Sequence, residues 1–180
     1  MQNGQTIHIY PTNKIRIPVD KNNIIKNKVV APKYNDSIVS YIDIDIKGNA
    51  LYKNRLMMLD LIANNNWKRP VYFSPGAFED EDYLWMKSYL QLEGMIYKLV
   101  PIKTKVDKDT NPMDMGGLDA DKMYSIVMKW DWGNSRGDIY HDPETRKNSI
   151  SYRSVLSRLM DKLIAEGKVD KAKKVIDLSL

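Results

Sequence analysis

The chain has 180 residues, 43% apolar and 28% charged, with a formal net charge of +5 and no cysteine. That length and composition predict a soluble globular segment of one domain, or a domain with a small appendage. Disulfides, thiolate zinc sites and cysteine nucleophiles are excluded, no run reaches the roughly 20 apolar residues of a membrane-spanning helix or resembles a signal peptide, and the scattered lysines form no nucleic-acid module.

Residues 5–19 hold two strand-like runs, 6–10 and 14–18, separated by Pro11. Ile7 and Ile9 alternate with His8, and Ile15 and Ile17 with Arg16, as half-buried strands require. Proline at 11 and 18 suits strand ends or edges, because it has no N–H for the ladder. His8 belongs on the polar face of its strand. Asp20 is placed as the N-cap of a short helix carrying Ile24 and Ile25. Pro32 closes that segment, and 35–37 reads as a turn. The run 41–46, YIDIDI, alternates strictly, with Ile42, Ile44 and Ile46 inward and Asp43 and Asp45 outward. Two carboxylates on one face can bind a cation or act as acid and base. A charged edge strand that discourages aggregation is the favoured reading.

Gly48 ends the strand, and 51–63 is the helix around which the core is expected to form. Within 56–63 only Asp60 is polar, which predicts a helix sandwiched between layers. Three asparagines at 64–66 stop it, since asparagine tolerates the left-handed conformation, and Lys68 and Arg69 complement the dipole. A short buried strand, 71–74, follows Pro70. The acidic run 79–82 suits the N-terminus of a second helix better than a metal site. That helix, 83–94, carries Leu84, Trp85, Met86, Tyr89, Leu90 and Leu92, with Gly94 as its stop. Residues 95–100 form the next strand. Strand, helix and strand with short loops predict a parallel pair with a right-handed crossover. With 41–46 and 51–63 added, the predicted fold class is α/β: a small, mainly parallel sheet with flanking helices and a βαβαβ core at about 41–102.

Residues 104–117 are polar and turn-rich, with neither dinucleotide-loop glycines nor a GK[ST] motif. Asp119 and Asp121 cap a helix bearing Met123, Tyr124, Ile126, Val127 and Trp130. The irregular stretch that follows is the richest in site chemistry, and the candidate binding residues are Trp130, Asp131, Trp132, Asn134, His141 and Asp142. One histidine among unspaced aspartates lacks the signature of a metal site, so neither metal nor cofactor is expected. A loop anchored by its two tryptophans is favoured over a site. From 151 the pattern turns helical: Val155, Leu156, Leu159, Met160 and Leu163 share one face, Gly167 breaks it, and Ala172, Val175, Ile176 and Leu178 begin another. The expected organisation is an α/β domain over 1–150 and, over 151–180, the start of a helical hairpin of tetratricopeptide type. A chain that opens on a strand and stops inside a helix is expected to be a piece of a larger protein.

The stretches NRLMMLDLIANNNWKRPVYFS, YLQLEGMIYKLVPIK and KWDWGN resemble a known family, as do YPTNKIRIPVDKNNI and IYHDPETRKNSISYRS. The family is the soluble C-terminal region of bacterial multi-pass membrane proteins of unknown function, whose membrane portion is similar to protein O-mannosyltransferases. The resemblance implies an extracytoplasmic, periplasmic location and a non-catalytic accessory role, binding or positioning an acceptor protein or glycan. It implies the membrane-embedded portion of the same polypeptide as partner, no nucleic acid, and no catalytic residue in this segment. The alternatives are a metal-dependent hydrolase using Asp131, His141 and Asp142, or a structural spacer.

Overall fold

The structure is a computed structural model that describes residues 12–46, 51–74, 81–105, 115–132 and 139–179, with the backbone alone for 81–84. Strand β1 (Lys14–Pro18) pairs antiparallel with β2 (Tyr41–Asp45), placing Ile15 opposite Ile44 and Ile17 opposite Ile42. Ile17, Ile42, Ile44 and Ile46 are buried and Asp43 is exposed, as the alternation dictates. Asp43 takes two hydrogen bonds from the Arg16 guanidinium, at 2.6 and 3.1 Å, and this partner lowers its pKa. Between the strands lies helix α1 (Lys21–Lys26), capped by the Asp20 carboxylate on the backbone N–H groups of Asn22 and Asn23. A 3-10 turn, Pro32–Ser37, leads into β2. The expected strand 6–10 and His8 lie outside the described residues.

Helix α2 (Lys53–Asn64) is followed by Asn66 and Trp67 in the left-handed region, at φ 46° and 58°. It is not sandwiched between layers. Only Leu59 and Ile62, one narrow stripe, are buried, while Leu56, Met57 and Leu61 are each more than half exposed. The apolar residues on its other sides meet no second layer among the described residues.

Among the described residues the predicted parallel βαβαβ core is not found. A second, three-stranded sheet has the order β3–β5–β4, where β3 is Tyr72–Phe73, β4 is Leu90–Glu93 and β5 is Ile96–Leu99, and every pairing in it is antiparallel. The expected helix 83–94 is instead a 3-10 stretch, Glu81–Tyr89, running straight into β4. Gly94 turns the chain, at φ +66°, in a two-residue hairpin loop; it is not a helix stop. Period-two alternation in Leu90-Gln-Leu-Glu outweighs the apolar spacing that suggests a helix. With two residues between the strands there is no length for a crossover, and antiparallel pairing follows. One isolated parallel bridge, Gln91 to Gly117, extends the β4 edge.

Helix α3 (Ala120–Val127) is capped by Asp119, whose carboxylate accepts from the backbone N–H groups of Asp121 and Lys122. Helices α4 (Pro143–Ala165) and α5 (Val169–Ser179) form an antiparallel C-terminal pair turned at Gly167. Val155, Leu156, Leu159 and Leu163 of α4 and Ala172 and Val175 of α5 are buried in the seam. Arg158 ties α4 to the rest by donating to the carbonyls of Met115 and Gly116. No described helix is long and apolar enough to cross a membrane.

Candidate functional site

The three-stranded sheet has two chemically different faces, and the pairing register assigns them. Leu90 lies opposite Leu99 and Leu92 opposite Tyr97, so one face is apolar and belongs to the core. The other carries Tyr72, Lys98 and Gln91 in one row across the three strands, with Glu93 two residues beyond Gln91. A polar sheet face normally meets water. Here Gln91, Glu93 and Lys98 are 9%, 7% and 9% exposed. The segment from Ile25 to Asn35 and the start of α3 lie against them, and a cavity of about 340 Å³ remains between. Lys28, Val29, Val30, Asp119 and Lys122 line its other walls.

The polar floor is a connected network. The Gln91 amide donates to Glu93 Oε1 at 3.2 Å, and the Tyr72 hydroxyl donates to Glu93 Oε2 at 3.1 Å. Burial, and secondarily the Glu93 charge, raise the pKa of that phenol. Lys98 Nζ donates to the Val29 carbonyl at 2.7 Å and stands 3.7 Å from Glu93, a charge contact rather than a hydrogen bond. Asp119 is engaged through Oδ1, which besides capping α3 accepts from Lys33 Nζ at 2.9 Å. Burial works to lower the Lys33 pKa, but the Asp119 hydrogen bond and charge outweigh it, and the net shift is upward. Asp121, in the first turn of α3, binds Lys168 at 2.6 Å, Lys171 at 2.8 Å and Lys33 at 3.3 Å. The Lys168 bond leads in holding its pKa well below the usual carboxylate range.

Of the residues singled out in 130–142, those described lie elsewhere, and none of them lines the cavity. Trp130, Trp132 and Tyr152 pack edge-to-face, with ring centroids 5.6 to 6.3 Å apart. Asp131 is exposed and His141 half-buried. The indole N–H of Trp132 and Nε2 of His141 are buried atoms with no hydrogen-bond partner among the described residues. Asp142 caps α4, accepting from the backbone N–H groups of Glu144 and Thr145 and from the Thr145 hydroxyl, which lowers its pKa. Asn134 lies outside the described residues. Among the described residues no group of three or more His, Asp or Glu side chains is arranged to hold a metal ion.

A family model described as TMEM260-associated domain 2 matches residues 1–122. The chain belongs to this family. It is therefore a domain associated with TMEM260-like membrane proteins. No curated protein and no solved structure matches it. Every residue lining the cavity, from Ile25 to Lys122, falls inside the part matched to TMEM260-associated domain 2, whereas residues 130–142 and the helices α4 and α5 follow it.

The cavity floor is hidden in the sequence because 83–94 reads as a helix. Two signals point to it all the same. Leu90-Gln-Leu-Glu before a glycine is a hairpin pattern, and Lys98 is a lone cation in an otherwise apolar strand.

Proposed function

We propose that this chain is a non-catalytic extracytoplasmic accessory domain of a TMEM260-like membrane protein. Its cavity binds or positions an acceptor protein or glycan beside the membrane-embedded portion of the same polypeptide. The observation that carries this reading is the buried polar face of the β3–β5–β4 sheet beneath an open cavity. Residues such as Gln91, Glu93 and Lys98 cost stability where they are buried, and a concave site with a few convergent polar groups is the usual form of a ligand pocket. The family adds the membrane-protein context. The resemblance to regions attached to O-mannosyltransferase-like membrane parts supports a glycosylation setting and a periplasmic placement.

The test is titration of the chain with unfolded peptides and with oligosaccharides, alongside pull-down of the membrane portion. Gln91→Leu, which replaces one floor amide by an apolar group of similar size, should weaken whichever ligand binds. If neither peptide, glycan nor membrane portion binds, the accessory reading is wrong.

A further inference from the structure

We infer that the cavity takes a small hydroxylated anion: one anionic group for its lysines and at least one hydroxyl for the Glu93–Gln91 floor. The inference rests on the reading of the cavity as a binding site and adds the chemistry of its occupant.

The charges decide the sign of the ligand. Three lysines line the cavity, Lys28, Lys98 and Lys122, against two carboxylates, Glu93 and Asp119. Asp119 is already neutralised by Lys33 at 2.9 Å, and Glu93 by Lys98 at 3.7 Å. Lys28 and Lys122, both exposed at the rim, have no carboxylate partner among the described residues. Among the described residues the opening therefore carries uncompensated positive charge, which favours an anion.

The hydrogen bonds decide the rest. An ammonium has three N–H donors, and Lys98 spends one on the Val29 carbonyl, while Glu93 lies beyond hydrogen-bond range. Donors of a buried cation remain for ligand oxygens. The same floor holds Glu93, whose oxygens each accept one bond, from Gln91 and Tyr72, and have room to accept another from a ligand hydroxyl. A neutral polyol leaves the rim lysines without a role, and a simple anion brings no donor for the Glu93 oxygens. A molecule bearing both groups satisfies both, as a sugar acid or a sugar phosphate does. A cavity of about 340 Å³ is large enough for one such ring, and it sits at the small end of ligand pockets.

The experiment is calorimetric or NMR titration of the chain with glucuronate, glucose 6-phosphate, glucose and inorganic phosphate. Glucuronate or glucose 6-phosphate should bind at least tenfold more tightly than glucose and than inorganic phosphate; which of the two prevails tells carboxylate from phosphate. Lys98→Met should lower that affinity about tenfold or more, the effect of one charged hydrogen bond. Because Lys98 is buried and its loss can unfold the chain, the double variant K28Q/K122Q at the exposed rim serves as the second probe. It should keep the fold by circular dichroism and still lose affinity, and wild-type binding should weaken with added salt. Equal binding of inorganic phosphate and the hydroxylated anions, or affinity untouched by K28Q/K122Q, would overturn the inference. Binding of a neutral glycan or peptide with no preference for the anions would overturn it too, while leaving the accessory-domain reading in place. If nothing binds in either set of titrations, both fall.

Discussion

Gly116 holds the edge of the cavity floor in place, and replacing it by alanine has a cost that can be separated into two parts. Its φ of +78° is strained for any side chain, and an added Cβ would lie 2.7 Å from the Leu90 carbonyl oxygen and 3.1 Å from its carbon. That backbone is β4 itself, fixed by pairing with β5 and by the bonds Gly117 N–H to Leu90 O and Leu92 N–H to Gly117 O. It cannot yield as the tip of a side chain would. Gly167 provides the control, since its φ is +72° but an added Cβ there would meet no atom within 4 Å. At both sites the left-handed conformation costs about 1–2 kcal/mol for alanine, offset by roughly 0.4–1 kcal/mol from the unfolded chain. Only Gly116→Ala adds the forced displacement, about 1–3 kcal/mol by analogy with overpacked interiors. At roughly 2–4 °C per kcal/mol for a chain of this size, Gly116→Ala should melt about 2–12 °C below Gly167→Ala. Thermal and urea unfolding followed by circular dichroism measure both. Equal losses in the two variants would show that the close approach to Leu90 does not constrain the fold.

Other perturbations follow from the same contacts. Leu59→Ala should destabilise by about 2–4 kcal/mol, because Leu59 is buried under α2. Leu61→Ala, on the exposed side of the same helix, should change stability by no more than about 0.5 kcal/mol; a matching loss in urea unfolding would mean that side is covered. Asp121→Asn tests the link between α3, α5 and the turn at Lys33. Its folded pKa is depressed, so the stabilisation is complete above the unfolded value of about 4 and is lost as pH falls towards the folded one. The variant should therefore be less stable at neutral pH and show a shallower acid-side decline; an unchanged acid profile would refute the assignment. Lys98→Met and Glu93→Leu should each cost about 3–5 kcal/mol by leaving a buried charge behind, whereas the double variant should recover most of that loss. A double variant no more stable than the singles in urea unfolding would remove the pair as a unit of the core.

Local rules read the periphery of the fold well. The alternation of Ile15 and Ile17 against Ile42 and Ile44, the Asp20 and Asp119 caps, the asparagine stop at Asn66 and the C-terminal helix pair all depend on neighbours within a few residues. The centre escapes those rules because 84–92 satisfies two periods at once. Its apolar residues suit a helix face, but the chain is 3-10 up to Tyr89 and extended from Leu90. Once that boundary moves, Gly94 changes from a helix stop to a hairpin turn and the parallel sheet disappears. The site is less legible still. Lys98 meets Val29, 69 residues away, and Lys33 meets Asp119, 86 residues away. No spacing rule connects such pairs; they come together only through the fold.

The buried polar sheet face also bears on why this domain is built as it is. An apolar row at Tyr72, Lys98 and Gln91 would pack the segment 25–35 more tightly and avoid the desolvation of a charge pair. The fold instead retains four buried polar side chains, satisfies them only in part, and leaves space beside the one with unused donors. A structural network would be expected to close on itself, because each unsatisfied group costs stability. Asp119 is tied into the frame, its Oδ1 capping a helix and holding an ion pair. Lys98 donates one hydrogen bond, to Val29. The proposed binding role uses that contrast between two ions of one cavity: Asp119 belongs to the frame, and Lys98 keeps donors for a ligand.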